Sequence, residues 1–198
     1  MIKLGVLCSG RGTDLQSIID AIDSGYLAAE ISVVLTDKPN VGALARAEAA
    51  DIKNICVDRK KFSNRAEFEA ELLKNLSGVD LVILAGFMKI LSADFVKNFE
   101  GRIMNIHPSL LPAFPGAHAH RDVLAYGAKV SGCTVHFVDE GTDSGPIILQ
   151  AAVEVFEDDT EETLSARVLE KEHEIYPAAI KLFVEGKLKI EGRKVKIL

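Results

Sequence analysis

Apolar residues recur along this chain in short runs separated by polar, glycine-rich breaks. Residues 2–8 (IKLGVLC) form the first run, and Ser9-Gly10-Arg11-Gly12 ends it, which predicts a buried strand closed by a glycine turn. Leu15, Ile18, Ile19 and Ile22 then repeat at helical spacing, with Gly25 just past them as a C-terminal stop. Residues 31–35 predict a second strand, 41–50 an alanine-rich helix and 52–57 a third strand. Phe68, Leu72, Leu73 and Leu76 place a helix over 64–76, and the near-continuous run 79–84 (VDLVIL) predicts a central strand. Ser92 or Asp94 can cap a short helix to Phe99, and 102–107 reads as the next strand. Further on, the pattern predicts a helix over 117–126 and strands over 130–138 and 147–156. A helix bearing Leu164, Val168, Leu169 and Ile175 should then kink or stop near Pro177, and 188–190 and 195–197 predict a terminal hairpin.

Strands alternating with helices imply right-handed βαβ units and a parallel sheet. In such sheets ligands bind beyond the carboxyl ends of the strands. The stretch 102–116 (RIMNIHPSLLPAFPG) opens as a strand and puts Asn105 and His107 two residues apart, on one side of an extended chain. Pro108, Pro112, Pro115 and Gly116 then force a loop. An amide and an imidazole aimed together from a strand end can handle a carbonyl oxygen. The turn 139–146 (DEGTDSGP) adds a carboxylate, Asp143, that can meet His107; otherwise Asn105 and His107 only satisfy local hydrogen bonds. The loop Gly10-Arg11-Gly12-Thr13 before the first helix is a candidate phosphate seat, or a turn that needs glycine only for its dihedrals. Leu15 stands where a dinucleotide fingerprint requires its third glycine, which argues against NAD. The segment 85–91 (AGFMKIL) is either core packing or an apolar wall able to grip a flat heterocycle. His118 and His120 lack a carboxylate set for a metal, and His136, between Val135 and Phe137, reads as structural.

The 198 residues, 48% hydrophobic and 26% charged, suit one soluble globular domain with a substantial core. A net charge of −6 argues against a nucleic-acid-coating surface while leaving room for a local phosphate pocket. No secretory leader or spanning run is expected, and Cys8, Cys56 and Cys133 read as reduced thiols of a cytoplasmic protein.

The motifs CSGRGTDLQ, NIHPSLLPAFPG, HRDVLAYG and TVHFVDEGTDSGPIILQ together resemble the phosphoribosylglycinamide formyltransferases, folate-dependent enzymes of purine synthesis, from about Met1 to the region of Glu172 and Tyr176. The resemblance implies a Rossmann-like, doubly wound α/β domain over 1–198, with helices on both faces of a mostly parallel sheet. Residues 1–100 would mainly bind the ribonucleotide phosphate, and 101–198 would mainly supply catalysis and folate contacts. It implies transfer of the formyl group of 10-formyltetrahydrofolate to glycinamide ribonucleotide, with the folate as cosubstrate, no permanent cofactor and no metal. The catalytic residues would be Asn105, His107 and Asp143. The ribonucleotide would meet Gly10, Arg11, Gly12, Thr13, Asp14, Pro108 and Glu172. The folate would meet Arg65, Met88, Lys89, Ile90, Leu91, Asn105, Val138, Asp139, Glu140 and Asp143. Asp14 stands where the family usually has Asn, and a carboxylate there competes electrostatically with a phosphate.

Neither nucleic acid nor membrane is expected as a partner, and the chain would be a monomer or homodimer. The rival readings are a formyltetrahydrofolate deformylase, another formyl-folate transferase such as methionyl-tRNA formyltransferase, and a non-catalytic nucleotide-binding module.

Overall fold

The first strand, β1 (Ile2–Cys8), is buried from Leu4 onward because parallel neighbours flank it on both sides. The structure, a computed structural model, describes residues Met1–Leu198 and divides into two compact units, Met1–Met104 and Asn105–Leu198. In the first unit, α1 (Thr13–Asp23), β2 (Ala29–Thr36), α2 (Gly42–Ala49), β3 (Asn54–Cys56), α3 (Arg65–Asn75), β4 (Leu81–Leu84) and α4 (Ala93–Asn98) follow β1. Its strands lie in the order β3-β2-β1-β4, and β1 pairs in parallel with both β2 and β4. β2 also pairs in parallel with β3. All four residues of β4 are buried, as a central parallel strand requires. On α1, Leu15, Ile18, Ile19 and Ala21 are the buried face, and each of the larger three contributes roughly 1.5–3 kcal/mol by leaving water.

β3 is shorter than the run 52–57 suggested. The Ile52 amide closes α2 by donating to the Ala47 carbonyl at 2.8 Å, so that residue is held by the helix end.

The chain enters the second unit along β5 (Ile103–His107), followed by α5 (Ala119–Tyr126), β6 (Val130–Phe137), β7 (Ile147–Glu154), α6 (Glu161–Val184), β8 (Leu188–Glu191) and β9 (Lys194–Ile197). The order is β5-β6-β7-β9-β8, with β6–β7 and β8–β9 antiparallel and β7–β9 parallel. Thr160 caps α6 through a reciprocal pair with Thr163. Of the kink or stop expected at Pro177 there is no stop: the helix runs through the proline. Tyr176, Ala179 and Ile180, on either side of the proline, are completely buried, and that burial outweighs one lost backbone bond. No helix is long and apolar enough to cross a membrane.

Candidate active site

In the first unit, the turn after β1 is built by two close approaches. Gly12 has φ +73°, and a Cβ on it would lie 2.8 Å from the Ala43 Cα. A Cβ on Gly42 would lie 2.8 Å from the Arg11 carbonyl oxygen. The start of α2 therefore rests directly on the glycine loop. The Ala43 amide donates to the Gly10 carbonyl, and Arg46 Nε donates to the Arg11 carbonyl at 3.0 Å. With those carbonyls held away, α1 presents its N-terminal end without a side-chain cap at Gly12. Ser9, Gly10, Arg11, Gly12, Thr13 and Asp14, with Ala85, Gly86 and Met88 opposite, line a cleft of about 230 Å³. Asp14 is thus part of the wall of the expected phosphate seat. The pKa of Cys8, the last residue of β1, is pushed up to about 12 by burial and then by Asp14, so it stays a neutral thiol.

The segment after β4 is fastened to this loop: the Ser9 amide donates to the Gly86 carbonyl, and Ser9 Oγ accepts from the Met88 amide at 2.8 Å. Met88 and Ile90 are 63% and 69% exposed, whereas Phe87 and Leu91 are buried, so the segment is half wall and half core. Lys89 Nζ lies 3.6 Å from the buried Asp37 carboxylate. Arg65, the first residue of α3, donates to Glu69 Oε1 at 2.8 Å, and that same oxygen accepts from the Ser92 amide. Glu69 and Ser9 carry no distinguishing sequence pattern; their partners Ser92 and Met88 come from elements distant in the chain.

In the second unit, β5 delivers His107, which is buried, and Asn105, which is half-buried. His107 Nδ1 lies 3.4 Å from Asp143 Oδ2. Its Nε2 donates to the Phe114 carbonyl at 2.9 Å, an acceptor that also takes the Ser109 hydroxyl. Phe114 has φ +53°, an unusual conformation for a bulky residue, and this turns its carbonyl back toward His107. Asp143, at φ +52°, also accepts the Gly116 amide at 2.8 Å, so one carboxylate ties the 139–146 turn to the loop after β5. That turn lies close to β6: a Cβ on Gly145 would sit 1.8 Å from the Phe137 carbonyl oxygen.

Asn105 Nδ2 lies 3.2 Å from His136 Nε2, and Asp143 Oδ1 is 3.9 Å from the same ring nitrogen. His136 therefore belongs to this cluster, although its alternation with Val135 and Phe137 read as purely structural. A buried polar side chain on a strand must find partners, and that was the available signal. Of the other expected residues, Pro108 and Val138 are half-buried. Asp139 accepts from the Gly141 amide and Ser144 hydroxyl, Glu140 is exposed, and Glu172 is buried on α6. No group of three or more His, Cys, Asp or Glu is arranged to hold a metal ion.

Residues 2–180 match the formyl transferase family model. The chain is 45% identical over 194 residues to the phosphoribosylglycinamide formyltransferase of Haemophilus influenzae, covering 96% of this chain and 91% of that one. It is 47% identical over 188 residues to the trifunctional purine biosynthetic protein adenosine-3 of Drosophila melanogaster, covering 93% of this chain but only 14% of that protein. The crystal structure of glycinamide ribonucleotide transformylase 1 from Symbiobacterium toebii superposes with a TM-score of 0.98 at 51% identity, covering 100% of this chain and 94% of that one. A formyltetrahydrofolate deformylase from Pseudomonas syringae shares the fold at a TM-score of 0.92 but is 25% identical, and this chain covers 66% of it. With its Asn105–His107–Asp143 cluster and a match along nearly its whole length, the chain belongs to the formyl transferase family, in its phosphoribosylglycinamide formyltransferase branch.

Proposed function

We propose that the chain transfers the formyl group of 10-formyltetrahydrofolate directly to the amine of glycinamide ribonucleotide, with Asn105, His107 and Asp143 as the reacting set. The observation that carries this is the single carboxylate of Asp143, which faces His107 Nδ1 and, through His136, borders Asn105. The amine lone pair attacks the formyl carbon, and the carbonyl electrons move onto oxygen. The resulting oxyanion needs preorganised donors, for which an Asn105 N–H and the His107 Nε2–H are suited. His107 Nε2–H is spent on the Phe114 carbonyl here, so the formyl oxygen has to displace that carbonyl. The attacking nitrogen then loses a proton, the folate N10 gains one, and the bond between N10 and carbon breaks. Asp143 accepts and relays that proton in this reading.

The uncapped N-terminus of α1 suits the ribonucleotide phosphate, with Arg11 and Thr13 as further donors. Exposed Met88 and Ile90 over buried Phe87 and Leu91 suit a flat pterin. Lys89, Arg65, Val138, Asp139 and Glu140 are assigned to the folate by resemblance. Pro108 is assigned to the ribonucleotide by resemblance, and Glu172 to its sugar hydroxyls. Cys8, Cys56 and Cys133 form no disulfide, as suits a reducing, cytoplasmic setting.

Absorbance on mixing protein with 10-formyltetrahydrofolate tests this reaction. Turnover should require glycinamide ribonucleotide. Folate release without it would favour hydrolysis, and no change in either cuvette from folded protein would favour a binding module.

Gly12→Ala should raise KM for the ribonucleotide by about tenfold or more. Its Cβ meets the Ala43 backbone and its φ is costly for a residue with a Cβ, by about 1–2 kcal/mol. The folate KM should change little in the same steady-state measurement. Equal changes in both would remove the loop from phosphate binding.

A further inference from the structure

His136 is 2% exposed and follows a shift in the β6–β7 register, between Val135 and His136. Such irregularities re-aim side chains beside functional sites. Both of its ring nitrogens have partners. Nδ1 lies 2.9 Å from the Phe137 carbonyl; a carbonyl only accepts, so Nδ1 carries a hydrogen. Nε2 faces Asn105 Nδ2, an amide nitrogen that only donates, so Nε2 must offer its lone pair. One form of the ring satisfies both: neutral, with its hydrogen on Nδ1.

Burial pushes the His136 imidazolium toward losing its proton, and His107 adds to this. The Phe137 carbonyl, Asp143 and Asp139 oppose it without reversing the direction. The neutral form is therefore favoured near neutral pH.

An asparagine amide is nearly symmetric in shape, so packing alone does not choose between its oxygen and its nitrogen. A fixed acceptor does. We propose that His136 is a positioning residue for formyl transfer: its Nε2 lone pair holds Asn105 Nδ2, leaving the second N–H of that amide to meet the developing oxyanion. A ring with its hydrogen on Nε2 would turn the amide over and withdraw that donor. The inference rests on the formyl-transfer reading and deepens it.

Three measurements on the full chain test it. Nitrogen-15 NMR of labelled histidine should show His136 neutral and protonated at Nδ1 at pH 7. The Nε2–H tautomer or an imidazolium would overturn the proposal.

His136→Leu, which removes the acceptor, should lower kcat by about 10²-fold with little change in either KM, as misplaced catalytic groups do. His136→Gln, whose amide oxygen can take the place of Nε2, should restore most of that loss. In an Asn105→Ala background His136→Leu should cost nothing further, because the group it positions is already gone. A purely structural histidine would give losses that add in the two backgrounds and track folding by circular dichroism. That result, or no rescue by glutamine in a folded variant, would overturn the proposal. Should the parent enzyme transfer no formyl group, the formyl-transfer reading fails, while the measured tautomer still decides the His136–Asn105 pairing.

Discussion

Asn105→Ala is expected to lower kcat by about 10²–10³-fold, the usual cost of deleting one donor to an oxyanion. The KM values should move far less, because the ground-state formyl oxygen carries little of the charge that the donor stabilises. The substitution also leaves His136 Nε2 without the Asn105 amide, and an unsatisfied buried acceptor costs roughly 1–3 kcal/mol of stability. A melting curve is therefore measured beside the kinetics. Asn105→Asp provides the sharper comparison: it keeps the shape and offers no amide hydrogen, so its turnover should be no better than that of alanine. Turnover by either variant within about tenfold of the parent would remove Asn105 from the oxyanion role, since a lost donor costs more.

Much of this arrangement was legible in the chain, for physical reasons that differ by residue. The glycine turn after β1 was visible because an apolar run ended in residues that only a tight turn needs, and Gly12 meets Ala43 there. Asn105 and His107 were visible because strand periodicity alone puts residues two apart on one side. Asp143 was visible as a carboxylate in a glycine-rich turn, and it lies against His107.

Other contacts depend on facts that no local pattern carries. The engagement of His107 Nε2 by Phe114 follows from a left-handed φ on a phenylalanine, which propensity argues against. The pairing of His136 with Asn105 depends on which strands are neighbours and on a register shift in β6–β7. At Pro177 local chemistry allowed a kink or a stop, and tertiary burial carries the helix through without a stop.

Phe114 also sets the conditions under which the site can work. Its carbonyl accepts from His107 and from the Ser109 hydroxyl, and the Gly116 amide donates to Asp143. The loop after β5 is thus stitched to His107 and Asp143, the two side chains proposed for the reaction. A substrate that takes His107 Nε2 must break one of those stitches, while Asp143 can retain the other. Replacing Asp143 consequently touches both charge and loop, and the two effects have to be separated by the choice of substitution.

Asp143→Asn makes that separation and is expected to lower kcat by about 10²–10⁴-fold, the span of a lost proton-transfer group. Asparagine tolerates the φ of +52° at this position, and its amide oxygen can still accept the Gly116 N–H. What it lacks is the negative charge facing His107 Nδ1 and His136 Nε2, so the pH–rate profile should change shape as well as height. Asp143→Ala removes the acceptor too and puts an ordinary Cβ residue at left-handed φ, adding a strain of about 1–2 kcal/mol. Limited proteolysis should then cut the 109–116 loop faster in the alanine variant than in the asparagine variant or the parent. If asparagine kept both turnover and pH profile while alanine lost activity, Asp143 would be a loop anchor and the proton would have to travel by another group. If both variants lost turnover equally while only alanine opened the loop, the charge of Asp143 would be what the reaction needs.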